Sequence, residues 1–575
     1  MAEEKKLTGY PSIDKPWLKY YSSASLSIPL PDCSIVDYLY ECNQHRLEDT
    51  ALIFFSRKIS FKELFDHIDR VAISLKEAGV KKGDIVSVCT LTAPETVYLF
   101  YAINKIGAVS NMIALTSPVS DLREQIHSTH SKLVFSVDVA YETIVEATKE
   151  TDIDQIVVIP LAASMPFPFS IAYNAKQKCF KPDRKSQSWK QFLEKGEHSG
   201  TGFQAVAGSD LALIMYTGGT TGVPKGVMLS NTSINAYSWQ LVNNRKSVYC
   251  FEKGDTFLSI IPPFLAYGIM AGWNASLCCG VTTVLYPNPD PKDFPKLIRK
   301  YKPNHFCCGP LHISALIEDK KCKDLSFLKS PITGGEQIGE EWKEKVSQVF
   351  RKRRSKSRLM NGYGMTETCG GIATGTCISD EMIPLPCITM KVINEQGSEL
   401  SYNEVGEICV SSRTLMEGYY NDEKATNDAI FYGHGMRWIH TGDLGYITES
   451  GNLKITGRIK RLYWKKMEDN SIVRVYPMRI EEVLDSSELV KRSTVVGKSD
   501  KTVGYLSIAY ILLNDSAEDK YAIIKSLSDL CARNLPHSHI PDMYQFIESF
   551  PLTKSGKVDY RMLEELSGSI EYKGK

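Results

Sequence analysis

The stretch Tyr216-Thr217-Gly218-Gly219-Thr220-Thr221-Gly222-Val223-Pro224-Lys225-Gly226 constrains the fold of this chain more than any other. It follows the apolar run 211–215, which reads as a buried strand, so a glycine- and hydroxyl-rich loop stands at a strand end. Such a loop turns backbone N–H groups and threonine hydroxyls toward one point, with Lys225 to balance negative charge. That is a cradle for a polyphosphate. The spacing is not that of the common P-loop, because Pro224 precedes the lysine and Gly222 stands two residues further back.

The surroundings of the loop predict an α/β fold. Ser60 and Glu63 form a capping box ahead of Leu64, Ile68, Val71 and Leu75 on one helical face, and Gly79 closes that helix. A strand over 85–89, a helix from Pro94, and strands over 133–137 and 155–159 follow, an alternation that points to largely parallel sheets. After about residue 385 short, turn-punctuated strands (389–394, 406–410, 451–455) predict an antiparallel, barrel-like piece. The remainder mixes strand (506–513) and helix (519–535). The expected organisation is a large N-terminal domain, 1–457, of two α/β sheets plus the barrel-like piece, then a small mobile α+β domain, 458–575.

Bulk properties exclude several classes. With 575 residues the chain exceeds one core, and 43% hydrophobic with 23% charged residues is ordinary for a soluble globular protein. A net charge of +1 gives no reason to expect nucleic acid or an anionic membrane as the main partner. Fifteen scattered cysteines without a C-x-x-C argue against a zinc site and a disulfide framework, and fit reduced thiols in a cytoplasm. No apolar stretch follows Met1, so no secretory signal is expected. The uncharged stretch 256–289 is long enough for a membrane span. Pro262-Pro263, Gly268, Asn274, Gly280 and Pro287 divide it into strand, turn, short helix and strand instead, so no span is expected. The basic run 351–354 reads as a solvated helix end.

Three further motifs carry chemistry. In Asn361-Gly362-Tyr363-Gly364-Met365-Thr366-Glu367-Thr368 a glycine-flanked aromatic can lie against a purine, with a hydroxyl and a carboxylate just beyond it for phosphate and Mg²⁺. In Trp438-Ile439-His440-Thr441-Gly442-Asp443 the Asp443 carboxylate can accept both vicinal hydroxyls of a ribose, within reach of Arg458, while His440 reads as structural. Near the C-terminus stands Pro551-Leu552-Thr553-Lys554-Ser555-Gly556-Lys557.

These motifs, in this order and over about residues 30–565, resemble the adenylate-forming superfamily of acyl-CoA synthetases, luciferases and peptide-synthetase adenylation domains. The resemblance implies that Thr217, Gly218, Gly219, Thr220, Thr221, Gly222 and Lys225 hold the phosphates of ATP. It implies that Tyr363, with Asn361 and Gly362, stacks on adenine, and that Gly334, Gly335 and Glu336 line its other face. Thr366 would contact the α-phosphate, Glu367 would coordinate Mg²⁺, and Asp443 and Arg458 would hold the ribose. Lys557 would be the catalytic lysine, its ammonium offsetting the repulsion between carboxylate and α-phosphate. A carboxylic acid and ATP would give an acyl-adenylate and pyrophosphate, and the C-terminal domain would then swing about Lys460 to admit the thiol of CoA.

Phe264, Leu265, Tyr267 and Gly268 are the expected acid pocket. Leu265 stands where peptide-synthetase domains carry an aspartate for the substrate ammonium, which disfavours an amino acid and favours a fatty or aryl acid. The segment 461–476 departs from the family: it is longer and lacks the glycine that lies along the pantetheine arm. An alternative acceptor, a separate carrier protein or an amine, follows from that departure. A non-catalytic nucleotide sensor is disfavoured by the survival of Glu367, Asp443, Arg458 and Lys557.

Overall fold

The computed structural model describes residues 7–568 except 176–184, 198–201, 218–223, 337, 377–378, 468, 501, 515–518 and 554–556. Among the described residues the strands form five sheets. The predicted capping box is present: the Ser60 side chain accepts from Glu63 N–H while the Glu63 carboxylate accepts from Ser60 N–H, starting the helix Phe61–Glu77. Its apolar face, with Leu64, Ile68, Val71 and Leu75 fully or almost fully buried, packs into the main core.

Two large sheets dominate. One orders Gly418–Tyr419, Lys225–Ser230, Leu211–Thr217, Val109–Met112, Ile85–Cys89, Leu133–Val137, Gln155–Ile159 and Ser186–Ser188. The other runs in parallel through Thr50–Phe54, Thr282–Leu285, Thr256–Ser259, His305–Cys308, Ser330–Gly334 and Met360–Tyr363, with antiparallel strands at its edges. The helices Pro94–Lys105 and Asn231–Asn243 are buried on almost every face, and one continuous apolar cluster includes residues of both sheets. Inside it Tyr101 donates to Asn274 Oδ1 at 2.8 Å and Asn274 Nδ2 donates to Ser238 at 2.8 Å, satisfying polar groups that burial would otherwise penalise.

The stretch 256–289 resolves as the sequence predicts, into strand, helical turns and strand. Among the described residues no helix is long and apolar enough to cross a membrane. The basic run stands at the solvated end of the helix Glu340–Lys352, as expected, with Arg351, Lys352 and Arg354 exposed. Arg351 pairs with Glu344 at 2.5 Å, but Arg353 donates to the carbonyls of Leu316 and Ile317, both at 2.7 Å, and so caps the C-terminus of the helix Pro310–Glu318. Among the described residues twelve cysteines are free thiols, as expected, and Cys250 is disulfide-bonded, which departs from the expectation of reduced thiols.

The barrel-like piece takes the form of a five-stranded antiparallel sheet around the long strand Met436–Ile447, which pairs with three neighbours. Leu453–Arg458 is its last strand, followed by the turn Ile459–Arg461. Beyond it lies an α+β unit with its own core. It comprises a hairpin (Tyr463–Lys466 with Ile472–Val475), a sheet of Val490–Asp500, Gly504–Leu513 and Met543–Phe546, and the helices Pro477–Asp485, Lys520–Asn534 and Tyr560–Gly568.

Candidate active site

The site is built at the ends of both large sheets. Leu211–Thr217 and Lys225–Ser230 are antiparallel neighbours in which Thr217 faces Lys225, so the two described ends of the glycine-rich motif stand side by side. Gly218, Gly219, Thr220, Thr221 and Gly222 lie outside the described residues. Lys225 Nζ sits 4.9 Å from the centroid of the Tyr419 ring, and Tyr419 donates its hydroxyl proton to Glu367 Oε1 at 2.8 Å. Tyr419, which the sequence reading missed, thus couples the loop to Glu367. Only its pairing with Val227 brings it there, and no local pattern announces that.

In the second sheet Gly334 and Gly362 are paired on parallel strands. A Cβ on Gly334 would stand 2.8 Å from the Gly362 carbonyl oxygen, so position 334 needs glycine for the backbones to meet this closely. Gly335 follows with φ +87°, and a Cβ there would lie 3.7 Å from Lys557 Cε. The lysine expected from the C-terminal segment therefore reaches the backbone at Gly335. Asn361 Oδ1 and Thr333 Oγ1 are buried here with no hydrogen-bond partner among the described residues, which suits a ligand that brings donors.

Asp443 and Arg458 are cross-strand partners, and Arg458 Nε donates to Asp443 Oδ1 at 2.6 Å. The Tyr363 hydroxyl donates to Asp443 Oδ2 at 2.7 Å. Each carboxylate oxygen keeps a further lone pair, so Asp443 retains capacity for two more donors. Burial first, then the Asp443 charge, raise the Tyr363 phenol well above its ordinary value, so it stays a donor. Thr366 opens the turn Thr366–Thr368 that presents Glu367.

Lys557 is exposed at its surface yet ringed by protein atoms, and the ring sets its charge balance. Desolvation, then repulsion from Arg458, lower its pKa from the usual lysine value; Glu336, Asp443 and Glu367 oppose them. The same neighbours show that the structure brings Glu336, Glu367, Asp443, Arg458 and Lys557 together. Glu336 departs from the sequence expectation. Its side chain is not free for an adenine face, because Oε2 accepts from Arg492 at 2.7 Å and Oε1 from the N–H of Val558 at 3.1 Å.

The acid-pocket residues divide. Phe264 and Leu265 are half-buried, and the Tyr267 hydroxyl is buried without a nitrogen or oxygen partner, 3.6 Å from where a Gly334 Cβ would stand. Gly268 lines no open space: a Cβ on it would come within 2.1 Å of the Pro262 carbonyl oxygen, so its task is close packing. Lys460 lies exposed in the turn Ile459–Arg461. Arg461 beside it is held by the Glu481 carboxylate and by the Tyr560 ring at 4.0 Å, so the C-terminal unit is anchored from Arg461 onward. The glycine-free segment solves its turn with Asn470 at φ +65°, a left-handed conformation that asparagine tolerates.

With this geometry in place, comparison with known proteins assigns the class. The sequence pattern of the AMP-binding enzymes matches residues 40–420, and that of the AMP-binding enzyme C-terminal domain matches 479–557. The chain belongs to the AMP-binding enzyme family. It is 28% identical over 570 residues to a long-chain-fatty-acid–CoA ligase of Bacillus subtilis, covering 96% of this chain and 98% of that one. It is 27% identical over 567 residues to a probable 4-coumarate–CoA ligase 1 of Dictyostelium discoideum, covering 95% and 98%. Its fold is similar to ATP-bound MatB from Rhodopseudomonas palustris, with TM-score 0.78 at 21% identity over 93% of this chain and 99% of that one.

Proposed function

We propose that the protein activates a carboxylic acid with ATP, releasing pyrophosphate, and transfers the acyl group from the adenylate to the thiol of CoA. The observation that carries this reading is the approach of Lys557, from another part of the chain, to Gly335, where a Cβ would lie 3.7 Å from Lys557 Cε; the charges of Asp443, Arg458 and Glu367 act on it there. An ammonium there offsets the repulsion as a carboxylate oxygen attacks the α-phosphorus and pyrophosphate leaves. Asp443 takes the ribose hydroxyls, Arg458 neutralises it, and Tyr363 offers its ring to adenine. Thr217 and Lys225 with the intervening loop hold the β- and γ-phosphates, and Thr366 contacts the α-phosphate. Asn361 and the backbone at Gly334 and Gly335 flank the base.

Glu367 fits Mg²⁺. It is buried, its Oε1 accepts from the neutral Tyr419 hydroxyl, and among the described residues no basic side chain pairs with it. A divalent ion held there would neutralise phosphate charge.

The acid is apolar, fatty or aryl, since Leu265 offers no counter-charge to an ammonium. The second half-reaction uses a swing about Lys460 that withdraws Lys557, with the domain boundary at 457–461. A second reading hands the adenylate to a carrier protein or an amine, and the glycine-free hairpin Tyr463–Lys466 with Ile472–Val475 favours it. Mass spectrometry after incubation with ATP, Mg²⁺, CoA and a mixed acid library distinguishes them. Acyl-CoA products support the first reading; AMP release without acyl-CoA supports the second.

A further inference from the structure

The strands Gly406–Ser412 and Met436–Ile447 carry a cluster that the adenylation chemistry does not use. Cys409 and His440 are directly opposed partners, and Glu407, two residues before Cys409, lies on the same face. The register shifts between Glu407 and Cys409 because Thr441, Gly442 and Asp443 bulge out of the ladder. His440 Nδ1 lies 2.9 Å from Glu407 Oε2 and 3.9 Å from Cys409 Sγ, and the three ligand atoms are all within 4.8 Å of one another.

We propose that Glu407, Cys409 and His440 form a binding site for a zinc-class divalent cation beside the bulge that carries Asp443. The donor set is one thiolate, one imidazole and one carboxylate, the three side-chain types that zinc prefers. Bonds of about 2.3 Å to sulfur and about 2.0 Å to nitrogen and oxygen place tetrahedral ligand atoms roughly 3.3–3.6 Å apart. The observed 2.9 and 3.9 Å bracket that range, so small side-chain rotations admit the ion. Cys409 is fully buried while the His440 side chain is 36% exposed, which leaves the fourth position open to solvent for a water ligand.

Two neighbours suit the site to this use. Glu407 holds the bulge with its other oxygen, Oε1, which accepts the N–H of Gly442 at 3.1 Å. Ligation through Oε2 therefore replaces only the Glu407–His440 hydrogen bond and leaves the bulge supported. Thr441 Oγ1 donates to the Ile408 carbonyl at 2.7 Å and accepts from Asp443 N at 3.1 Å, so the cation would pin both strands from which Asp443 is presented. On the far side of Cys409 its strand partner Lys391 extends its ammonium over the Trp438 and Phe431 rings, at 4.3 and 4.8 Å. Burial, then the Glu407 charge, push the Cys409 thiol up; the Lys391 ammonium, held by the rings, opposes them, and ligation itself would displace the thiol proton.

The test is a titration of the full-length, chelator-washed chain with Co²⁺, followed by displacement with Zn²⁺ and a count of bound zinc by mass spectrometry. The expected result is thiolate-to-cobalt charge-transfer absorption, displaced by one equivalent of zinc and abolished in Cys409→Ser. Glu407→Gln keeps an acceptor for Gly442 N–H, and His440→Asn alters a partly exposed side chain, so both keep the fold. Each should weaken zinc by more than the roughly tenfold cost of losing an outer partner. Absence of the absorption in the native chain, or its survival in Cys409→Ser, overturns the proposal. Unchanged zinc affinity in both Glu407→Gln and His440→Asn overturns it equally.

Discussion

Glu336 offers a measure of how firmly the C-terminal unit is held over the cleft. Its carboxylate receives the Arg492 guanidinium and the N–H of Val558, the residue next to Lys557. The Arg492 and Glu336 side chains are 22% and 12% exposed, so the pair is largely but not fully desolvated. Breaking a fully buried pair costs about 3–5 kcal/mol and an exposed one about 0–1, which brackets this pair near 2 kcal/mol. Glu336→Gln keeps an acceptor for Val558 and removes the charge. The lost energy belongs only to the arrangement that brings Lys557 into the site. A two-step cycle in one site needs open and closed arrangements near balance. A loss of about 2 kcal/mol then lowers the closed fraction, and the adenylation rate with it, by about tenfold. Acid-dependent ATP–pyrophosphate exchange reads the first step, and thioester formation from supplied acyl-adenylate reads the second. The first should fall about tenfold while the second holds or rises, and Glu336→Gln combined with Arg492→Ala should be no worse than either alone. Unchanged exchange, equal loss in both steps, or additive single effects would refute the reasoning.

Lys557→Ala should reduce adenylate formation by a factor of hundreds, the loss of about 3–4 kcal/mol of electrostatic stabilisation, and leave thioester formation from acyl-adenylate nearly intact. Asp443→Ala should weaken ATP binding measured by calorimetry, because it removes the ribose acceptor and leaves Arg458 and Tyr363 without their shared partner. Glu95 is buried, its Oε1 accepts from the Ser164 hydroxyl at 2.5 Å, and desolvation pushes its pKa up to about 6 from 4.5. The folded protein therefore holds this proton where the unfolded chain releases it, so stability falls as pH rises from 4.5 through 6, by about 2 kcal/mol. Glu95→Gln should remove that loss, raising the melting temperature relative to the parent at pH 7 but not at pH 4; an equal difference at both would count against it.

What the sequence made legible is what is local. The Ser60–Glu63 capping box and the buried strand expected over 211–215, which runs two residues further to Thr217, depend on short spacing, and both are present. The links that organise the site are not local. Tyr419 meets Glu367 across 52 positions and Glu336 meets Val558 across 222, and no periodicity encodes such distances. Gly268 has a long-range reason of its own: a Cβ there would meet the Pro262 carbonyl oxygen at 2.1 Å, a close packing that no periodicity announces. The Thr441–Asp443 bulge likewise follows from the register of two strands that are joined through distant sequence.

The central claim is that this cleft joins a carboxylate to AMP. Acid-dependent exchange of labelled pyrophosphate into ATP measures that step alone, whatever the final acceptor. The account predicts exchange that requires an apolar or aryl acid and disappears in Lys557→Ala. Nucleotide binding with no exchange across the acid library, or full exchange in Lys557→Ala, would contradict it.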